Sequence, residues 1–219
     1  MENKTLYIIA TPIGNLADIS ARALETLKNI DVLLCEDTRV TGHLLSLLGI
    51  EKQMLSLHQH TDESKIRGIL EKYSNIGYVS DAGTPGISDP GNKLVQMAAS
   101  LLFTIIPIPG ASAVTAALSV CGFPTDKFLF LGFLPKKGKT KIYETIKSSI
   151  YTTGFFESPH RIVKTLTDLK SILEPKRQMV VCRELTKKFE TIYRGTAEQI
   201  LPEVEKHEKG EFVIIICGQ

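Results

Sequence analysis

The residues with the types and spacing to do chemistry fall in short polar clusters, each following an apolar run. The most constrained is S-D-A-G-T-P-G-I-S-D-P-G, Ser80 to Gly91, with three glycines, two prolines and two aspartates in twelve residues. Neither helix nor strand propagates through it, because Gly is entropically costly in both and Pro cannot donate to a ladder. Gly83 and Gly86 let backbone approach another molecule with no Cβ in the way, while Pro85 and Pro90 stiffen the loop beforehand. That describes a ligand loop, and the competing reading is an ordinary surface connection. A second cluster, Phe155-Phe156-Glu157-Ser158-Pro159-His160-Arg161, sets two rings beside a few polar groups, which is what a flat heterocycle such as adenine requires. A capped helix start, with Ser158 at the N-cap and Pro159 at N1, accounts for only two of these residues. A third, Arg183 to Glu190, closes an expected hairpin, and composition alone makes it a solvated charged turn. Four lysines surround Gly138 between Lys136 and Lys141, and they suit either nucleic-acid phosphates or a solvated helix start.

Several chemistries are excluded by pattern. No G-x-G-x-x-G follows the first strand and no G-x-x-x-x-G-K-[ST] occurs, which demotes dehydrogenase and NTPase readings. His58, His60, His160, Glu36 and Asp37 do not fall at metal-ligand spacing, so no metal is expected. There is no G-x-S-x-G nucleophile. The four cysteines, Cys35, Cys121, Cys182 and Cys217, are far apart and mostly embedded in apolar runs. They read as reduced core residues rather than a disulfide frame or zinc site.

The elements that must position these clusters alternate in the first half. Strands are expected at Leu6–Ala10, Val32–Cys35, Met54–Leu57, Ile76–Val79 and Phe103–Ile108, with helices between them carrying apolar stripes and cap candidates at Asp18 and Ser20. Such alternation argues a parallel α/β layer. Breakers at Cys121 to Asp126 suggest a boundary, giving an N-terminal α/β domain over 1–121 and a C-terminal α/β domain with a mixed sheet over 122–219. At 219 residues, 43% apolar and 23% charged, the chain can bury a sizeable core as one large domain or two small ones. Lysine plus arginine total 26 against 24 acidic residues, so any basic surface must be local. Met1-Glu2-Asn3-Lys4 leads straight into a strand and no apolar run is long enough to span a membrane, so a soluble, cytoplasmic protein is expected.

Taken together, T-P-I-G-N-L (Thr11 to Leu16), E-D-T-R (Glu36 to Arg39), the Ser80–Gly91 loop, P-G-A-S-A (Pro109 to Ala113), F-F-E-S-P-H-R (Phe155 to Arg161) and R-E-L-T-K (Arg183 to Lys187) occur in order. The chain resembles the tetrapyrrole methylase superfamily and, within it, the ribosomal RNA small-subunit 2′-O-methyltransferase I family, from Leu6 to Gly218. The resemblance implies a two-domain α/β enzyme, usually a homodimer, with S-adenosylmethionine in a cleft between the domains. The implied reaction is 2′-O-methylation of a cytidine ribose in the decoding region of 16S rRNA within the small ribosomal subunit. Pro12 and Gly14 would line the cleft floor, and Asp81, Gly83 and Ile87 would contact the methionine part. Ser112 and Ala113 would lie beside it, and Phe156 and Glu157 near the adenosine.

Methyl transfer from a sulfonium to oxygen is an in-line displacement, and the 2′-hydroxyl must lose a proton. Asp81 and Glu157, then Glu184, are the candidate acceptors. Arg39, Arg161, Arg183 and Lys187 are candidate rRNA-phosphate contacts. Members of the family usually continue several dozen residues past the strand that ends here near Gly218, so a weaker grip on RNA with an unaffected cofactor site is expected if that segment holds RNA. Two other readings stand beside this one: a tetrapyrrole C-methyltransferase of the same fold, and a non-catalytic cofactor- or RNA-binding module.

Overall fold

The computed structural model describes residues 4–219; Met1, Glu2 and Asn3, expected to run straight into the first strand, lie outside the described residues. The chain divides into two compact units, meeting at Ser112 and Ala113.

In the first unit, β1 (Thr5–Ile9) is apolar almost throughout because it is paired on both edges and covered on both faces. Around it alternate α1 (Ala21–Asn29), β2 (Val32–Cys35), α2 (Thr38–Leu47), β3 (Met54–Ser56), α3 (Glu63–Lys72), β4 (Asn75–Val79), α4 (Asn92–Ser100) and β5 (Thr104–Ile108). The strands form one parallel sheet in the order β3-β2-β4-β1-β5. Side-chain alternation sorts the core into two layers. Val32, Leu34, Ile76 and Tyr78 pack with α3 and α4, through Ile66, Leu70, Leu94 and Ala98. Leu33, Cys35 and Val79 pack with Ala23 and Leu27 of α1 and Leu45 of α2. Of the two cap candidates for α1, Ser20 does the capping, accepting from Ala23 N at 3.1 Å.

β5 is an edge strand. Thr104 N donates to Lys4 O at 2.9 Å and Ala10 N to Ile108 O at 3.1 Å, so the even-numbered positions bond inward and Pro107 faces outward. Arg22 Nη2 donates to the Pro107 carbonyl at 3.4 Å.

The second unit runs α5 (Ala113–Cys121), β6 (Phe128–Phe133), α6 (Thr140–Ser148), β7 (Thr152–Glu157), α7 (Ile162–Ile172), β8 (Met179–Arg183), β9 (Thr191–Gly195), α8 (Ala197–Glu205) and β10 (Phe212–Ile216). Its sheet is mixed, in the order β6-β7-β10-β8-β9, with β6 and β7 parallel and the other pairs antiparallel. Phe155, Val181, Phe212 and Ile214 pack with Leu166 of α7 and Ile200 of α8. Burial pushes the Cys182 thiol up to about 12, so it stays protonated. Among the described residues no helix is long and apolar enough to cross a membrane.

Two local readings differ from the structure. The boundary falls before α5 rather than after Cys121, because Val114, Ala117, Leu118 and Cys121 are buried and α5 packs on β7, β8 and β10. The Arg194 guanidinium also holds the carboxyl end of α5, donating to the Val120 carbonyl and to Cys121 O at 2.9 Å. Ser158 is not the N-cap of α7: its carbonyl accepts from Arg161 N and Ile162 N, both at 3.0 Å, closing a turn through Pro159 and His160 before the helix opens.

Two glycines separate packing from propensity. A Cβ on Gly77 would sit 2.5 Å from Ile30 Cδ1, 3.1 Å from Leu33 Cδ1 and 3.2 Å from Ile9 Cδ1, all buried. Gly77→Ala is expected to destabilise by about 1–3 kcal/mol through overpacking. Gly68 lies inside α3 with nothing near its Cβ position. Gly68→Ala is expected to stabilise by about 0.5–1 kcal/mol through helix propensity. Urea unfolding midpoints of the two variants must move in opposite directions.

Candidate functional site

The carboxyl ends of the parallel strands converge on three loops of the first unit. Beyond β1 and β4 the chain makes a reciprocal pair, Thr11 N to Gly83 O at 2.9 Å and Gly83 N to Thr11 O at 3.1 Å. Gly83 adopts a φ of 79°, which glycine reaches at no steric cost, and a Cβ there would meet Ile13 Cγ2 at 3.2 Å. Thr84 Oγ1 donates to Ala111 O at 3.2 Å, tying in the loop after β5. At the far end Tyr78 donates its hydroxyl to Pro90 O at 2.8 Å, and its ring lies where a Gly91 Cβ would be, 2.6 Å from Cε1. Pro12 is half-buried, and Gly14, Asp81 and Ile87 are exposed. Ser112 closes this unit and Ala113 opens α5, both half-buried. Thr11 is 2% exposed, and its Oγ1 has no hydrogen-bond partner among the described residues.

This edge is anionic. Asp37 N donates to Asp81 Oδ1 at 3.2 Å, so the loops after β2 and β4 meet at their acids. Burial raises the Glu36 carboxyl above its usual value, and the charges of Asp81, Asp89 and Asp37 raise it further. Asp89 is raised too, first by burial and then by Asp81. Asp37 goes the other way: hydrogen bonds from the Arg39 side chain and backbone bring it down to about 2, with an ion pair at 2.6 Å. Repulsion among carboxylates is relieved by a cation, whereas a polyphosphate would add to it.

The second unit uses its expected site residues differently. Glu157 is 1% exposed and accepts from Ser158 N at 2.7 Å, Thr165 Oγ1 at 2.8 Å and Arg161 Nη2 at 2.7 Å. Arg161 continues to Ser158 Oγ at 3.2 Å and Leu134 O at 2.7 Å. Both groups are therefore committed to the fold, which removes the geometric basis for Glu157 as a proton acceptor and Arg161 as a phosphate contact. Phe156 is half-buried against Phe130 and Phe133, with ring centroids at 5.0 and 5.2 Å. The turn after β8 is bonded internally rather than simply solvated. Arg183 donates to Lys209 O and Phe189 O at 2.7 and 3.1 Å, and Lys187 pairs with Glu184 and Glu211 at 2.9 and 2.8 Å. Burial alone would raise Glu184, but the Glu211 N–H and Lys187 bring it below the usual range. Arg39, paired to Asp37, keeps its side chain 89% exposed. Sequence reasoning missed Thr11, Tyr78 and Asp89 as parts of the loop edge; Thr11 and Asp89 stood inside quoted motifs, and Tyr78 carried no signal beyond a buried strand.

Comparison with known proteins adds three findings. The family of tetrapyrrole (corrin/porphyrin) methylases matches residues 5–201. Curated relatives include the ribosomal RNA small subunit methyltransferase I of Haemophilus influenzae, 45% identical over 98% of this chain and 78% of its own length, and that of Synechocystis, 43% identical over 97% and 78%. Among solved structures, cobalt precorrin-4 methyltransferase aligns with a TM-score of 0.71 at 19% identity, covering 97% of this chain and 94% of its own. Uroporphyrin-III C-methyltransferase from Thermus thermophilus aligns with 0.64 at 15% identity over 97% and 94%. At such identities the likeness is one of fold.

Two measurements probe these electrostatics. Glu157→Ala would leave the half-buried Arg161 without its counter-charge and is expected to cost about 2 kcal/mol, with Glu157→Leu/Arg161→Met recovering most of it; a loss under about 1 kcal/mol in urea unfolding would refute a structural role. Arg39→Ala is expected to let Asp37 rise from about 2 toward its usual value near 3.9, read by carboxyl-carbon NMR. Because the folded value is the lower one, the stabilisation from Asp37 is present above about pH 4 and lost as pH falls toward 2.

Proposed function

The chain belongs to the tetrapyrrole (corrin/porphyrin) methylase family, and from that premise we propose that it methylates the ribosomal RNA of the small subunit. We assign it S-adenosylmethionine as donor and the 2′-hydroxyl of a cytidine ribose in 16S rRNA as acceptor. Relatives at 43–45% identity along nearly the whole chain support small-subunit rRNA as the substrate, the cytidine 2′-hydroxyl is what the motif resemblance implies, and the tetrapyrrole enzymes share only the fold. The observation that carries the choice of donor is the convergence of Glu36, Asp37, Asp81 and Asp89 on the loop that the Thr11–Gly83 pair holds in place. A sulfonium and an ammonium on one small molecule suit that edge better than phosphates do. When bound, such a donor supplies an electrophilic methyl group.

The chain's own residues then bind and orient. Gly14 offers exposed backbone without a Cβ, Gly83 keeps the loop close to Thr11, Pro12 and Ile87 offer apolar contact, and the Thr11 hydroxyl offers a buried donor with no other partner among the described residues. Ser112 and Ala113 stand at the end of the loop that Thr84 ties in. Within the second unit, Phe156 packed edge-on against Phe130 offers a ring of the kind an adenine packs on. Asp81 is the carboxylate left to take the ribose proton, since it is exposed and uses only Oδ1, on Asp37 N. Orientation of this kind is worth about 7–11 kcal/mol in well-aligned cases. The same reading carries a cytoplasmic site of action and a homodimer.

Labelled donor is expected to pass its methyl group to small subunits lacking the mark, protecting one cytidine linkage from alkaline cleavage. Asp81→Asn is expected to lower kcat about a hundredfold, and undiminished transfer by that variant would remove Asp81 as the acceptor. Donor binding by calorimetry without transfer to any rRNA substrate would leave the binding-module reading, and transfer to a tetrapyrrole instead would leave the other.

A further inference from the structure

The second unit carries a groove of about 1210 Å3 between the segment after β6 and the start of α7. Its rim presents Lys136, Lys137 and Lys139 on one side and His160 and Lys164 on the other. Asp168 is the single carboxylate in the lining, and it already accepts from Tyr143 Oη at 2.9 Å. Lys139 is drawn inward to Tyr143 Oη and Thr165 Oγ1, both at 3.3 Å. Arg161 is spent on Glu157. Lys136, Lys137 and Lys164 are exposed and make no hydrogen bond or ion pair among the described residues, although acidic side chains neutralise several other cations of the protein.

A second observation is independent of the lysines. Both α6 and α7 open onto this groove, and their N-cap residues are Lys139 and Arg161, neither of which caps with its side chain. A helix N-terminus carries positive partial charge and unsatisfied N–H groups, so Ser, Asp or Asn is the stabilising choice and a cation the opposing one. At α7 the compensating anion is Glu157, paired with Arg161, whereas α6 has no acidic residue in its first turn and no side-chain cap, so an anion in the groove would serve its open end. Phe133 adds a ring at the rim, 56% exposed and seated against Phe156 at 5.2 Å, where a base can stack.

We propose that this groove binds the sugar-phosphate backbone of a single-stranded segment of the RNA substrate, with Lys136, Lys137 and Lys164 each neutralising one phosphate. The inference rests on the rRNA methyl-transfer reading above. A groove of about 1210 Å3 with unpaired lysines on both of its sides fits a polyanion with several charges rather than one phosphate ion. These residues replace Arg161, Arg183 and Lys187, whose charges are bonded within the fold, as the main phosphate contacts.

The test uses the full chain and the variant Lys136→Ala/Lys137→Ala/Lys164→Ala. Binding to a single-stranded 16S rRNA fragment, followed by fluorescence anisotropy at several salt concentrations, is expected to show a log–log slope shallower by about 2, from three contacts at about 0.7 each. KM for unmethylated subunits is expected to rise about tenfold or more, with kcat, donor affinity and Tm unchanged, and the corresponding triple Lys→Arg variant is expected to restore KM. A wild-type slope and KM in the triple Ala variant would overturn the proposal. So would loss of binding to phosphatidylserine vesicles with RNA binding intact, which would make the groove a lipid site. A wild type that binds RNA with the steeper slope but transfers no methyl group would sink the methyl-transfer reading while the groove assignment stands.

Discussion

Two backbone hydrogen bonds between Thr11 and Gly83 turn the ends of separate parallel strands into one edge. Parallel neighbours β1 and β4 stop pairing where their strands end, and each would otherwise carry unsatisfied N–H and C=O groups into its loop. The positive φ at Gly83 reverses the chain after β4 so that it meets the chain after β1 in the antiparallel sense. Tyr78 fixes the other end of the same loop from inside the core. Because backbone and a buried phenol hold the loop, Asp81 and Asp89 are not needed as fasteners. Glu36, Asp37, Asp81 and Asp89 can therefore crowd together at a density that a loop held by ion pairs would have to neutralise.

The second unit uses charge in the opposite way. Buried Glu157 and half-buried Arg161 form a pair whose remaining hydrogen bonds reach Ser158, Thr165 and the Leu134 carbonyl, so one ionic node joins the end of β7, the side of α7 and the segment after β6. A pair of this kind contributes little net stability compared with apolar residues, because desolvation offsets the attraction. It does tie geometry, since the two charges draw their partners from three separate segments at once. The segment it anchors at Leu134 is the one that continues into Lys136 and Lys137.

The alternation of strand and helix was legible because apolar runs of strand length repeat between amphipathic segments, and the mixed second sheet was legible from the adjacent runs at Val180 and Thr191. The domain boundary was not: α5 is apolar on most sides, so its sequence does not say which core it joins, and the breakers at Gly122 and Pro124 mark only a turn. The polar clusters were legible as places but not as roles. Glu157, Arg161, Glu184 and Lys187 are the residue types of a working site, yet they satisfy one another, and only their placement reveals that. Lys136, Lys137 and Lys164 show the reverse, since their composition is that of a solvated surface and their meaning depends on two helix starts lying side by side.

The outward face of β5 bears on how the protein behaves in a crowded solution. An edge strand ordinarily offers a ladder of free amide groups on which another chain can template itself. Here Pro107 deletes one rung, and the Arg22 guanidinium occupies the carbonyl beside it. Strand addition on that side would have to begin across a missing donor and displace a cation, so the sheet is closed to growth from β5. On that side a second copy can join only through side-chain surfaces, because β5 gives it no continuous ladder to extend.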